Sequence, residues 1–211
     1  MTLVRLNQPM AFFRTINFSE PLPSIEGDGV MLGTPQIDDF EEWGALRDTS
    51  RDFLTPWEPT WPADDLTRAA FRRRIKRYAE DLRSDQGYAF LIARNSDGAL
   101  VGGLTLANIR RGVAQAGSLG YWTGLPFVRQ GYMTAAVRAV LPFAFGSLRL
   151  HRLEAACIPS NSGSIKLLEK TGFLREGYAR EYLCINGTWQ DHLLYAHVND
   201  GSDYGDRKSV V

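Results

Sequence analysis

The sequence predicts an α+β domain, a single mainly antiparallel sheet with helices on its faces. Three observations carry this. Apolar segments of period two and of helical period follow one another as strand, two helices, three strands, helix, strand, helix and a final strand pair. The last pair flanks Asn186-Gly187, a strong signal for a two-residue hairpin turn. Finally, 211 residues with 44% hydrophobic content suffice for one domain whose core needs neither disulfides nor metal.

Each element has its own justification. Residues 1–27 lack periodicity and contain Pro9, Pro21, Pro23 and Gly27, so they read as an extended arm before a domain spanning 28–198. A first strand is expected at Val30 to Thr34, broken by Pro35. Ile37, Phe40, Trp43, Leu46 and Phe53 then recur at helical spacing. After the proline- and tryptophan-rich FLTPWEPTWP, Asp64 or Asp65 is placed to cap a second helix with the stripe Leu66, Ala70, Phe71, Ile75, Tyr78 and Leu82. Gly87 marks its end. YAFLIAR, ALVGGLTLANI and Ser118 to Trp122 are strands, with NSDG as the first turn. Residues 131–145 form a helix that Pro142 should kink or end. RLEAACI is a strand. Asn161 or Ser160 caps the last helix, which Gly172 stops. The closing strands are expected near Tyr182 to Ile185 and Trp189 to Val198. From 199 to 211 the chain is polar and reads as a disordered tail.

Composition excludes several classes. Formal net charge is zero, so bulk charge selects no partner. Cys157 and Cys184 match neither a zinc site nor a redox pair and read as free thiols; no metal is expected. No apolar run is long enough to span a membrane, and no secretory pattern opens the chain, which leaves the cytoplasm as the expected location. Charge is unevenly spread. Nine acidic residues lie between Asp38 and Asp65, and residues 68–77, RAAFRRRIKR, hold six basic ones. Solvated helix faces explain both; the alternative is an acidic patch for a cationic substrate beside a basic patch with weak RNA contact.

The chemistry centres on GYWTGLPFVRQGYMTAA, a strand, a short glycine-containing turn and a helix. Amides at a helix N-terminus are unpaired and the dipole is positive there, so a pyrophosphate fits. Gly131 lets the chain come close, Arg129 adds an ionic contact and Thr134 a hydroxyl. A glycine before a helix is also an ordinary turn, so the segment needs support elsewhere. The helix beginning at Asn161, with Ser164 one turn on, provides some.

Together FLTPWEPTW, GYW, QGYMTAA, LRLHRLEAACIPSNSGSIKLLEKTGF and EGYAREYLCINGTWQDHLLYA resemble the GNAT superfamily of acetyl-CoA-dependent N-acetyltransferases. Within it they are most similar to the RimJ-like ribosomal-protein-alanine N-acetyltransferase group. The resemblance implies acetyl-CoA as co-substrate. Arg129, Gln130, Gly131, Tyr132, Met133 and Thr134 would hold the pyrophosphate, Tyr121, Trp122 and Thr123 would pair with the pantetheine arm, and Asn161 would meet its amide end. Two positions depart from the superfamily's phosphate signature, Val128 and Met133. A third departure bears on mechanism: where many members carry a tyrosine that protonates the departing thiolate, this chain has Leu168.

Direct attack on a thioester needs a neutral amine, a polarised carbonyl and a stabilised thiolate. A main-chain amide near Trp122 is placed for the carbonyl, and Ser164 is the first candidate for the sulfur. Its alternative is a helix serine bonded to its own backbone. Cys157 reads as a core thiol rather than a nucleophile. Glu181 and Asp191 are candidate bases; His192, adjacent to Asp191 on a strand, faces the other way and reads as structural. Trp57, Glu58 and Trp61 are candidate acceptor-binding residues, with the alternative that the tryptophans plug the core. The resemblance implies a protein N-terminus as acceptor, such as an alanine-initiated ribosomal protein. A small-molecule amine and a non-catalytic RNA-binding module are the rivals, and monomer and homodimer both stay open.

Overall fold

The computed structural model describes residues 22–199 and residue 201. It contains eight strands in one sheet. They are β1 (Ser24–Gly27), β2 (Val30–Gly33), β3 (Tyr88–Arg94), β4 (Leu100–Arg110), β5 (Ala116–Thr123), β6 (Arg152–Cys157), β7 (Leu174–Ile185) and β8 (Thr188–Val198). The helices are α1 (Phe40–Thr49), α2 (Arg51–Leu54), α3 (Arg68–Arg83), α4 (Tyr132–Pro142) and α5 (Ser162–Lys170). Strand order is β1-β2-β3-β4-β5-β6-β8-β7, antiparallel throughout except for β5 and β6.

That parallel junction sets up the site. Pairing between β5 and β6 covers Ala116 to Ser118 against Arg152 to Glu154 and goes no further. Beyond Ser118, β5 continues to Thr123 paired with β4 alone. The two strands therefore splay and leave one edge of β5 with unpaired amide and carbonyl groups. α4 follows β5 and α5 follows β6, so both helices begin beside the opening.

The sheet buries both faces. Phe90, Ile92, Leu104, Leu106, Leu119 and Leu153 pack against Met133, Val137 and Val140 of α4 and Leu168 of α5. On the opposite face Trp43, Leu46, Phe71 and Leu100 form a second cluster beneath α1 and α3, with Leu91 and Trp122 against it. Strand alternation sends Tyr121 to the first face and Trp122 to the second. Gly103 is required there: a Cβ on it would sit 2.5 Å from the Trp122 indole nitrogen.

Three local expectations change. The arm expected over 1–27 ends in strand: Ser24–Gly27 pairs with Val30–Gly33. Residues 1–21 of that arm, and all of the expected tail beyond Asn199 except residue 201, lie outside the described residues. β7 begins at Leu174 rather than near Tyr182, because an edge strand leaves Leu174, Arg175 and Glu176 exposed and dilutes the apolar alternation. α3 is capped by Thr67, whose hydroxyl accepts the Ala70 amide at 3.2 Å. Asp64 and Asp65 instead pair with Arg73 and Arg74. Elsewhere the punctuation holds: Pro142 ends α4, which passes into a π turn at Phe143–Ser147, and Gly172 follows α5 with φ of 87°.

The acidic and basic runs neutralise one another. Arg68 meets Glu41, Arg73 meets Asp64 and Arg74 meets Asp65 at 2.7 Å, while Lys76 faces Glu80. Much of the basic charge on α3 is thus spent within the chain, which weakens the RNA reading. No helix among the described residues is long and apolar enough to cross a membrane.

Candidate active site

A cleft of about 850 Å³ opens where β5 and β6 splay. At one end lie the N-termini of α4 and α5. At the other lie Phe53, Leu54, Trp57 and Glu58. Tyr121, Trp122, Thr123, Arg129, Gly131, Tyr132, Met133, Thr134, Asn161 and Ser164 all line it.

The two helix N-termini differ. α4 starts at Gly131, which adopts φ of 89° and offers no side chain as a cap. A residue with a Cβ resists that left-handed conformation. The first-turn amides of Tyr132, Met133 and Thr134 therefore lack a side-chain cap and open on the cleft. α5 is closed from within: Asn161 Oδ1 accepts the Ser164 amide at 3.0 Å. This cap uses only the side-chain oxygen of Asn161 and leaves its side-chain nitrogen Nδ2 for other partners. Arg129, Lys166 and Lys170 supply three cations to the lining, against Glu58 as the one carboxylate among the described lining residues. An uncapped dipole and three cations fit a polyanion, and the unpaired edge of β5 fits an extended amide-bearing chain. These are the parts of coenzyme A. Gln130 does not join them: its side chain donates to the Pro126 carbonyl at 2.8 Å. Lys166 and Lys170, one turn apart on α5, carried a signal in their spacing that sequence reasoning passed over.

Tyr121 and Ser164 face each other across the splay. Their oxygens are 2.6 Å apart. Burial pushes the Tyr121 phenol well above the usual tyrosine range, with the Ser164 hydrogen bond opposing it. Cys157, at the end of β6, is buried and its thiol is likewise pushed up by burial, again opposed by Ser164. A thiol held neutral is a poor nucleophile, so the core-thiol reading of Cys157 fits. Leu168 is fully buried beneath α5 and faces the core. Replacing it by tyrosine is therefore expected to overpack the core by about 1–3 kcal/mol without raising turnover. Thermal unfolding alongside kcat checks this; a faster and equally stable Leu168→Tyr enzyme would contradict it.

At the far end Arg47 holds Glu58 through two parallel bonds of 2.7 and 2.6 Å. The Trp61 indole donates to the same carboxylate at 2.7 Å. The guanidinium carbon lies 4.0 Å from the Trp61 ring centre and 4.9 Å from that of Trp122, so Arg47 is sandwiched between two indoles. Trp57 and Glu58 line the cleft as expected, but Trp61 stands behind them as part of the clamp. Arg47, one of two arginines in an acidic run, was not anticipated.

The structure does not bring Glu181 and Asp191 to the cleft. They sit on β7 and β8, where the Glu181 amide donates to Asp191 Oδ1 at 2.8 Å and the Tyr178 hydroxyl donates to Oδ2. Those bonds, Tyr178 first, hold the Asp191 carboxyl below the usual range. A stabilised carboxylate remote from the cleft does not fit a general base. His192 is buried, with Nδ1 2.9 Å from the Gln190 carbonyl, an arrangement that fits the structural reading. Among the described residues no cluster of His, Cys, Asp or Glu is placed to hold a metal.

The comparisons with known proteins agree with this geometry. The model of the acetyltransferase (GNAT) domain matches residues 30–174. A probable N-acetyltransferase of Bacillus subtilis, YjcK, is 38% identical over 83% of this chain and 97% of its own. The [ribosomal protein uS5]-alanine N-acetyltransferase of Escherichia coli is 31% identical over 70% of this chain and 76% of its own. The structure of Mycobacterium smegmatis RimJ in complex with CoA-disulfide superposes with a TM-score of 0.80 at 28% identity, covering 88% of this chain and 90% of that one. With a cleft suited to coenzyme A at its centre, the chain belongs to the GNAT family and is an N-acetyltransferase that uses acetyl-CoA.

Proposed function

We propose that the acceptor is the N-terminal α-amino group of a protein, an alanine-initiated ribosomal protein by likeness to the Escherichia coli relative, modified in the cytoplasm. The observation that carries this reading is the state of Glu58. Its charge is matched by Arg47, so it exerts little pull on an ammonium group. A carboxylate has about four lone-pair sites. Arg47 occupies two and Trp61 one, which leaves one to orient an incoming N–H.

Attack on a thioester requires the neutral amine. An α-amino group has an ordinary pKa of about 7.7–8.0, so a substantial fraction is neutral near physiological pH, whereas a lysine at about 10.4 is neutral in roughly one part per thousand. A cleft that neither gathers ammonium nor offers a strong base favours the α-amine. The shape agrees. The Asn186 amide, at the tip of the β7–β8 hairpin, donates to the Glu58 carbonyl at 2.9 Å. This ties the hairpin to the loop after α2 and bounds the acceptor end on two sides, which suits a chain terminus.

Acetyl-CoA supplies an activated acetyl thioester. In this reading the α4 amides with Arg129, Lys166 and Lys170 bind phosphate, the β5 edge aligns the pantetheine, an amide near Trp122 polarises the carbonyl, Ser164 serves the sulfur, and Trp57 with Glu58 orients the amine. Thiol release with an Ala-initiated peptide, the same peptide with its N-terminus blocked, and a panel of small amines tests the acceptor. The free peptide should react fastest. A faster small amine, or no loss on blocking, would overturn the assignment.

A further inference from the structure

We propose that Tyr121 is a positioning residue for the thiol side of the reaction: its phenol donates to Ser164 and thereby turns the Ser164 hydroxyl hydrogen into the cleft, where it stabilises negative charge on sulfur. Neither the family match nor the relatives assign this, and it accounts for how the chain works with Leu168 in place of a tyrosine.

The argument rests on who donates to whom. The two oxygens are 2.6 Å apart, and either is able to donate. Tyr121 is packed against the core, and Ser164 is its hydrogen-bond partner among the described residues. A phenol is the stronger donor and an aliphatic hydroxyl the better acceptor. Were Tyr121 to accept, the weaker donor would be paired with the poorer acceptor, and the phenolic hydrogen would have no partner among the described residues, so that orientation gains less. So the bond runs from Tyr121 to Ser164. Ser164 then has one hydrogen to place. Its amide already serves the Asn161 cap, so the residue is fixed at the first turn of α5. Cys157 is its other close neighbour, but a neutral thiol is a weak acceptor. The remaining direction is the cleft, which both residues line. An acceptor there that gains negative charge receives a charge-assisted bond, about twice as strong as a neutral one.

The bond also joins the two walls of the splay. Tyr121 belongs to β5 and Ser164 to α5, so the donor reaches across the opening rather than from within one element. A serine hydroxyl alone rotates freely; one held by a buried phenol is preorganised, which is what stabilises developing charge most.

The test uses coenzyme A itself and needs no acceptor, so it stands apart from the identity of the amine. The thiol of bound coenzyme A is titrated by its ultraviolet thiolate absorbance, as a difference from the coenzyme-free protein. Ser164→Ala should raise the bound thiol's pKa by about 1–2 pH units, and Tyr121→Phe by about one. The double variant should go no higher than Ser164→Ala, because Tyr121 acts through Ser164. Ser164→Thr, which keeps a hydroxyl, should restore most of the shift. In turnover, Tyr121→Phe should lower kcat with the KM for acetyl-CoA unchanged. Tyr121→Phe titrating as the native protein does would overturn the proposal, as would additive effects. Should Tyr121→Phe fail to fold, monofluorotyrosine at position 121 strengthens the donor at nearly constant size. It should lower the bound thiol's pKa, and no change would count against the proposal.

Discussion

Arg47→Met is expected to destabilise the protein by about 3 kcal/mol and to lower its melting temperature by roughly 6–12 °C. Arg47 has a side chain 7% exposed and Glu58 one 21% exposed. Removing the cation leaves a largely buried carboxylate with, among the described residues, the Trp61 indole as its one side-chain donor. The partial exposure of Glu58 keeps the cost near the low end for a broken buried pair. Arg47 also fills the space between Trp61 and Trp122, and methionine restores the volume without the charge. The double variant Arg47→Met/Glu58→Gln should recover much of the loss, since it removes the orphaned charge. Chemical denaturation of the two variants checks this. A single variant no less stable than the double would show that the clamp is packing alone. The single variant should also bind the acceptor differently, because an unmatched Glu58 attracts ammonium.

Gly131→Val is expected to raise the KM for acetyl-CoA at least about tenfold, a loss of roughly 1.4 kcal/mol or more of binding. Gly131 has φ of 89°, and a β-branched residue there is strained. The turn either keeps its shape with a side chain projecting where phosphate oxygens approach, or relaxes and disperses the first-turn amides of α4. Among the described residues no neighbour lies within 4 Å of a Cβ at this position, so the protein leaves that space open. Gly29 is the matched control. It has φ of 71° in the β1–β2 turn and equally open surroundings. Gly29→Val should cost similar stability and leave the KM for acetyl-CoA alone. Steady-state kinetics of both variants decides between site and strain; equal KM changes would place the effect in the backbone generally.

Some of this site was legible in the sequence because it depends on local pattern. The strand, glycine turn and helix around Gly131, the Asn161 cap and the Asn186-Gly187 hairpin are each set within a few residues, where turn chemistry and period act. What was not legible depends on contacts between distant segments. The Arg47–Glu58 clamp joins α1 to the loop after α2, and the Tyr121–Ser164 bond joins β5 to α5; neither leaves a periodic trace. Asp64 and Asp65 looked like caps because aspartate serves both as a helix cap and as an ion-pair partner, and residues 68–77, with six cations, lay next to them. Glu181 and Asp191 looked like bases from residue type and position along the chain, neither of which says which way a paired strand carries them. The β7–β8 pairing places both outside the cleft lining and spends the Asp191 carboxylate on the Tyr178 hydroxyl and the Glu181 backbone amide. The departures at Val128 and Met133 leave the uncapped first turn of α4 and the cations Arg129, Lys166 and Lys170 in the cleft lining, the groups that the proposed reading assigns to phosphate.

The central claim is acetyl transfer from acetyl-CoA to a protein's N-terminal amine. Site-localised mass spectrometry tests it most directly, on an Ala-initiated peptide that also carries an internal lysine, incubated with the protein and acetyl-CoA near pH 7.5, where only the α-amine is appreciably neutral (roughly a third against about one part in a thousand). The account predicts acetylation of the alanine nitrogen with the lysine left free. Acetylation of the lysine to an equal or greater extent, or an unmodified peptide in the presence of bound acetyl-CoA, would contradict it.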